Sequence, residues 1–318
     1  MKKGYWYIVL TTVIFSTMEI ALKLVGGSFH PIQLTFTRFF IGGLFLIPFA
    51  LRSLRKKNSS IVAKDLVFFA FLGLLGIVVS MGLYQLAVLN TTASVVAVLF
   101  SCNPVFVTVL AFVLLKETIQ RNNVVALLLE VAGTVLIIHP LHTRLSVPGV
   151  TLTILSTVTF ALYGVCGKKK CAKYGGIVVT CFSFLFGSLE MLAFIGLSHV
   201  SVAADCLRAG GLSMFADIPL FSGYTLQALP GILYICVVNT GIGFACYFKA
   251  MEVASVQKTS LIFFFKPILA PILALVLLHE IIPLNMVAGI LLILIGSLAS
   301  ILPGIRNQRS AQSLEKAS

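Results

Sequence analysis

Ten runs of mostly apolar residues follow one another along the chain, near 5–25, 33–51, 65–89, 93–115, 122–139, 147–167, 176–199, 229–250, 257–278 and 284–302. A helix of about 20 such residues crosses the hydrocarbon of a bilayer. The pattern predicts an all-α polytopic membrane protein with ten transmembrane helices. Most connections are only a few residues long, so neighbouring helices are expected to run antiparallel. The longest gap, 200–228, holds Asp205, Arg208, Gly210, Gly211, Asp217 and Pro219, and it is the one substantial polar loop. The tail after Pro303 is polar and is expected to fray.

The pattern also repeats. Residues 84–135 and 247–298 are related by a constant shift of 163 positions. Tyr84 aligns with Tyr247, Pro104 with Pro267, Glu117 with Glu280, Asn122 with Asn285 and Gly133 with Gly296. Apolar matches are cheap in such a chain, but these five are not. The opening parts of the halves match at a shift of about 145, with Lys23 on Lys168 and Phe15 on Phe160. The extra length of the 200–228 loop absorbs the difference. Duplicated hydrophobic halves mark transporters built from two structural repeats.

Charge sets the orientation. With the N-terminus inside, the cytoplasmic segments collect Lys2 and Lys3, Arg52 to Lys64, Lys116 and Arg121, Lys168 to Lys173, Lys249 and Lys258, and Arg306 to Lys316. The outer loops hold only Arg144 and Arg208. This bias places both termini in the cytoplasm. Five spans per half is an odd number, so the second half is inverted relative to the first. The expected division is a first five-helix repeat over 1–142, a second over 147–302, and a polar cytoplasmic tail over 303–318.

Composition narrows the function classes. Hydrophobic residues make up 59% of the 318 and charged residues 10%, against about 25% charge in a soluble domain. The net charge of +13 lies in the gaps between apolar runs, without aromatic interleaving, and so does not indicate nucleic acid. Seven cysteines without a CxxC read as small apolar residues. The five histidines lack ligand spacing, so no metal site is expected. The chain has no GxxxxGK[ST] loop, which argues against ATP hydrolysis, and no other cofactor is indicated. Lys2-Lys3 and the apolar run behind them resemble a signal peptide. No small-residue cleavage site follows, however, and the run carries Glu19 and Lys23, so it is read as a retained first helix.

In combination, the ten spans, the mid-helix Pro104 and Pro267, the helix-ending Glu117 and Glu280, and Gly133 and Gly296 near the end of the next helix resemble the EamA group of the drug/metabolite transporter superfamily. The resemblance covers residues 5–302. It implies a carrier in the plasma membrane, expected to be bacterial, that works by alternating access on small metabolites. These are often amino acids or related solutes, and transport is often outward. The symmetric glutamates read as structural. The partners expected are a small solute, the bilayer and a candidate coupling proton, with the oligomeric state open.

Two charges depart from that general layout. Lys266 stands just before Pro267, where the first half has Asn103, and lies well inside the predicted helix 257–278. A charge at that depth costs at least about 2.5–3.5 kcal/mol on insertion scales. Proline frees carbonyls and permits a bend beside it. Lys266 is therefore either a binding group or half of an internal ion pair. Glu19 shares a helical face with Thr12, Ser16 and Lys23. It either neutralises Lys23 at i,i+4 or binds a solute or proton. An amino acid would fit with its carboxylate on Lys266 and its ammonium on Glu19. An organic anion or a sugar-phosphate-like solute would use Lys266 alone.

Asn239, Gly243 and Tyr247 form a second stripe, matched by Gly76, Ser80 and Tyr84. Such stripes either permit close helix packing or line a cavity. Tyr163 is a further candidate lining residue, and Glu190 a candidate second acid. Arg38 is expected to snorkel from its helix end. An intramembrane enzyme would want paired catalytic groups at one depth. No Asp lies well inside a span, and the histidines fall at loops and helix ends. A receptor or scaffold would want larger soluble loops.

Overall fold

The computed structural model describes residues 2–116, 121–138, 146–254, 256–259, 261–296 and 298, and no strand occurs among them. Among the described residues, seven helices are long and apolar enough to cross a membrane: α1 (Gly4–Gly26), α2 (Pro31–Lys56), α3 (Ala63–Asn90), α4 (Ala93–Leu115), α6 (Val147–Tyr174), α7 (Gly176–Ser198) and α8 (Leu229–Val253). Three shorter apolar helices complete the set: α5 (Arg121–Ile138), α9 (Ile262–Leu278) and α10 (Leu284–Gly296). At 1.5 Å per residue, α9 is about 25 Å long. Glu117 and the tail 303–318 lie outside the described residues.

Each helix begins and ends for local reasons. In α2, Pro31 occupies the first turn, where its missing N–H is harmless, and the His30 ring accepts from Ile32 N. The Thr92 side chain caps α4 by accepting from Val95 N, and Ser146 caps α6 through Gly149 N. Within α4 the helix breaks at Ser101–Cys102 and restarts at Asn103 with Pro104 in its first turn. Pro267 and Pro271 lie inside α9. Both α3 and α8 contain a π-helical stretch, Leu74–Met81 and Tyr234–Ile242. Such stretches loosen the backbone ladder and often occur at functional sites.

The packing has a recurring order. α1 packs on α8 and α9, while α6 packs on α3 and α4. α2 packs on α8 and α7 on α3, and the two central contacts are α2 with α7 and α4 with α9. Individual contacts repeat in the same way. Lys23 Nζ donates to Val88 O at 3.4 Å and Thr91 O at 2.5 Å, the last carbonyls of α3. Lys168 Nζ donates to Met251 O and Ala254 O, the last carbonyls of α8. The Lys23–Glu19 pair expected at i,i+4 is therefore not formed. The orphan carbonyls at the C-terminus of α3 bind the lysine instead.

Two ends match as well. Lys116 (φ 55°) and His279 (φ 54°) close α4 and α9 in the left-handed conformation, their N–H groups bonded to Ala111 O and Ala274 O. Such geometry costs a non-glycine residue about 1–3 kcal/mol, so its recurrence at one register reflects the architecture. Gly133 and Gly289 meet so closely that a Cβ on either would lie 2.6 Å from the other's carbonyl oxygen. A Cβ on Gly296 would lie 2.9 Å from Ala126 O. These glycines let α5 and α10 approach backbone to backbone.

The segment between α7 and α8 carries a short helix, Ser201–Ala209, and docks on α2. Gln33 Nε2 donates to Leu220 O and Ser222 O at 3.1 and 2.8 Å. Thr37 Oγ1 and Tyr224 Oη are 2.5 Å apart. At the other end of the bundle, Asp65 accepts from Lys170 at 2.5 Å, Lys173 at 2.9 Å and Tyr174, tying the start of α3 to the end of α6.

Candidate functional site

The first helix is distorted where the site forms. Helical bonding runs over Lys2–Ser16 and resumes at Met18. Below the break, Thr12 Oγ1 donates to Ile8 O and Ser16 Oγ to Thr12 O, at 2.8 and 2.7 Å. Such hydroxyl back-bonding bends helices. Asn239 on α8 holds the break from outside, its Nδ2 donating to Ile14 O at 2.9 Å. Glu19 follows in the next turn and is fully buried.

Opposite it, α9 delivers Lys266, which is 2% exposed. Lys266 Nζ lies 2.5 Å from Glu19 Oε1, and Tyr84 Oη donates to the same oxygen at 2.5 Å. The ammonium also faces two rings, 5.0 Å from the centroid of Phe100 and 5.7 Å from that of Tyr84. Cation–π attraction is worth about 2 kcal/mol or more where water is excluded. Glu19 Oε2 has no hydrogen-bond partner among the described residues. Lys266, Tyr84, Phe100, Met18, Met81 and Phe244 line a cavity of about 10 Å³, room for about one water. The site is thus closed in this conformation. A larger groove of about 280 Å³ between Phe45, Phe49, Ile177 and Ile242 is lined by neither Glu19 nor Lys266.

The other residues singled out in the sequence are distributed around this core. Asn103, the counterpart of Lys266, is buried and donates to Thr157 O at 3.3 Å. Tyr247, the counterpart of Tyr84, stacks on Phe160. Gly164 stands 145 positions beyond Glu19, and a Cβ there would lie 2.9 Å from Tyr247 Oη. One half thus places a carboxylate against its tyrosine hydroxyl, and the other places a glycine. Ser80 and Ser156 exchange hydrogen bonds with each other's carbonyls at 3.0 and 2.8 Å, joining α3 to α6. Tyr163 Oη and Ser183 Oγ are 2.8 Å apart. Ser16 bonds within its own helix, and Glu190 is half-buried with Oε2 unpartnered among the described residues.

Glu280 meets a helix end. Its carboxylate accepts from Ala93 N at 2.8 Å, Ser94 N at 3.0 Å and Ser94 Oγ at 2.6 Å. A carboxylate there satisfies the unpaired N–H groups and the positive end of the α4 dipole.

Arg38 differs from its sequence reading. It does not snorkel but is fully buried, its guanidinium carbon 4.6 Å from the centroid of Phe39. The sequence shows an arginine near the start of the apolar run 33–51, and helical periodicity there does not reveal which face meets α3 and α8. Among the described residues, no group of three or more metal-ligating side chains is present.

Buried charges held between distorted helices, inside a bundle of apolar spans, define a multi-pass membrane protein. The chain belongs to the EamA-like transporter family, whose model matches residues 2–139 and 147–302. It is 33% identical to an uncharacterized transporter of Clostridium kluyveri, over 98% of this chain and 100% of that one. It is 23% identical to the uncharacterized transporter YoaV of Bacillus subtilis, over 93% and 96%. An S-adenosylmethionine uptake transporter of Rickettsia felis is 27% identical, over 78% and 85%. A solved crystal structure shares the fold, with a TM-score of 0.66 and 18% identity, over 95% of this chain and 98% of the other.

Proposed function

We propose that this transporter is a secondary carrier for a small metabolite, an amino acid or related solute, that works by alternating access around the Glu19–Lys266 pair. The carrying observation is that pair, buried between α1 and α9 at 2.5 Å. A buried ion pair is expensive to desolvate and weak evidence for stability, while intramembrane charges mark substrate and ion pathways. A solute with an ammonium and a carboxylate would exchange with the pair, each end replacing one protein charge. Tyr84 and Asn103 would line the path, with Asn239, Tyr247, Ser80, Tyr163 and Ser16 shaping it. Glu19 is the carboxyl group proposed to take a coupling proton.

The proposed architecture is ten membrane helices in two inverted five-helix repeats, 1–142 and 147–302, with both termini cytoplasmic. The paired lysine caps, the paired left-handed helix ends and the α5–α10 glycine contacts support this reading, since each recurs at a fixed shift. Inverted halves rocking about a midplane site give alternating access. The proposed direction is outward, as the family resemblance implies. The S-adenosylmethionine transporters among the relatives are named for uptake. S-adenosylmethionine itself bears an amino-acid end, which favours a solute of this class.

Proteoliposomes assayed with and without a pH gradient test the proposal. Radiolabelled amino acids, S-adenosylmethionine and small organic acids would be followed in both directions. Accumulation of one of them that depends on the protein is expected. No movement of any of them would contradict it.

A further inference from the structure

We infer that Arg38 binds a second carboxylate of the solute, beside the one that exchanges with the Glu19–Lys266 pair, and that the site is built for a solute of net charge −1. The inference rests on the carrier reading and specifies its solute.

The observation behind it is a guanidinium with no hydrogen-bond partner among the described residues. Arg38 has no exposed surface, and its Nε, Nη1 and Nη2 all lack a hydrogen-bond partner among the described residues. A guanidinium carries five N–H donors in a rigid fork, and leaving a buried charge unpaired is strongly unfavourable. A carboxylate satisfies that fork with two parallel hydrogen bonds, a geometry in which arginine exceeds lysine. By contrast, Lys266 is already paired with Glu19 and stacked against two rings. The unmet anion demand therefore lies on α2 rather than α9.

Arg38 belongs to the same cluster as the ion pair. α2 packs on the part of α3 that carries Tyr84. The ring beneath it, Phe39, packs edge-on against Phe244 at 5.6 Å, and Phe244 lines the cavity beside Lys266. Gln85, next to Tyr84, is also buried, with both amide atoms unpartnered among the described residues. The one unpartnered anionic oxygen in the cluster is Glu19 Oε2. The open valences are thus a guanidinium, an amide and one carboxylate oxygen. They match a solute that presents a carboxylate at one end and N–H donors at the other.

With Glu19 ionised, charge counting gives the net charge. Glu19, Lys266 and Arg38 are one acid and two bases, an excess of one positive charge. A zwitterion would leave that excess in place. A monoanion cancels it, and removing a net buried charge is the larger gain.

The test uses purified full-length protein in nanodiscs, with acetate as the minimal carboxylate and acetamide and chloride as controls. Acetate should raise the Tm of the wild type by about 2–4 °C at a concentration about ten times its dissociation constant. Acetamide and chloride should not. Arg38→Met should melt no lower than the wild type without acetate, because it removes an unpaired buried charge while keeping an unbranched apolar stem, and it should lose the acetate shift. Arg38→Lys should keep a smaller shift. L-Glutamate should stabilise the wild type more than L-glutamine does. The inference fails if acetate gives no shift, if chloride matches it, if Arg38→Met keeps it, or if Arg38→Met is markedly unstable or does not fold. Equal stabilisation by glutamine would overturn the charge assignment. None of these readouts requires transport, so failure of the carrier reading would leave the acetate result standing and remain distinguishable.

Discussion

Lys266 Nζ and Glu19 Oε1 lie 2.5 Å apart, the lysine 2% exposed and the glutamate not at all. Removing one member strands the other in a medium that cannot solvate it, at a cost of about 3–5 kcal/mol. Lys266→Ala and Glu19→Gln are each expected to lower the melting temperature of the protein in nanodiscs. The double variant Glu19→Gln, Lys266→Met should recover most of the loss, because it strands no charge. Additive losses in the double variant would mean that the two residues are not energetically coupled.

The lysine caps make a second case. Lys23 and Lys168 each bond to carbonyls at the C-terminal end of a helix in their own half of the chain. Hydrogen bonds from a charged donor contribute about 1.5–3 kcal/mol. Lys23→Met and Lys168→Met should therefore destabilise the protein by similar amounts in denaturant titrations. A large effect at one and none at the other would contradict the proposed symmetry.

Much of this was legible in the sequence, and the failures have a common cause. Glu19, Lys266 and Tyr84 stood out because charge and polarity inside an apolar run are conspicuous. The Tyr and Pro repeats located their counterparts. Sequence left open which residues meet. Lys23 lies one turn from Glu19, and the i,i+4 rule pairs them. The fold offers Lys23 the unpaired carbonyls of α3 and offers Glu19 a lysine from α9. Arg38 was misread for the same reason, since its surroundings are set by α3 and α8 rather than by its own helix. The predicted span 257–278 is divided in the structure, a short helical turn at Val256–Thr259 preceding the longer helix Ile262–Leu278. Hydropathy reports where apolar residues run, while helix ends depend on capping and on residues such as His279.

Glu280 is expected to matter for folding and not for solute choice. Its carboxylate closes the N-terminus of α4 through Ala93 and Ser94. Glu280→Gln should cost about 1–2 kcal/mol in thermal stability, with the solute profile unchanged. A changed profile at full stability would contradict the structural role.

The proposed topology can be read from cysteine labelling. Cys206 is exposed on the helix between α7 and α8, whereas Lys169 lies near the end of α6. An impermeant maleimide should label Cys206 in intact cells. It should label a cysteine placed at 169 only after permeabilisation. Labelling of both from one side would exclude the inverted arrangement.

The central claim is that solute passes through the Glu19–Lys266 site. Its most direct test compares wild type, Lys266→Ala and the double variant Glu19→Gln, Lys266→Met in the proteoliposome assay, with protein orientation and amount matched. The account predicts that the wild type moves at least one amino acid or organic acid. It predicts that both variants fall to the level of empty liposomes, including the double variant that regains stability. Wild-type transport rates from inserted Lys266→Ala protein would contradict it.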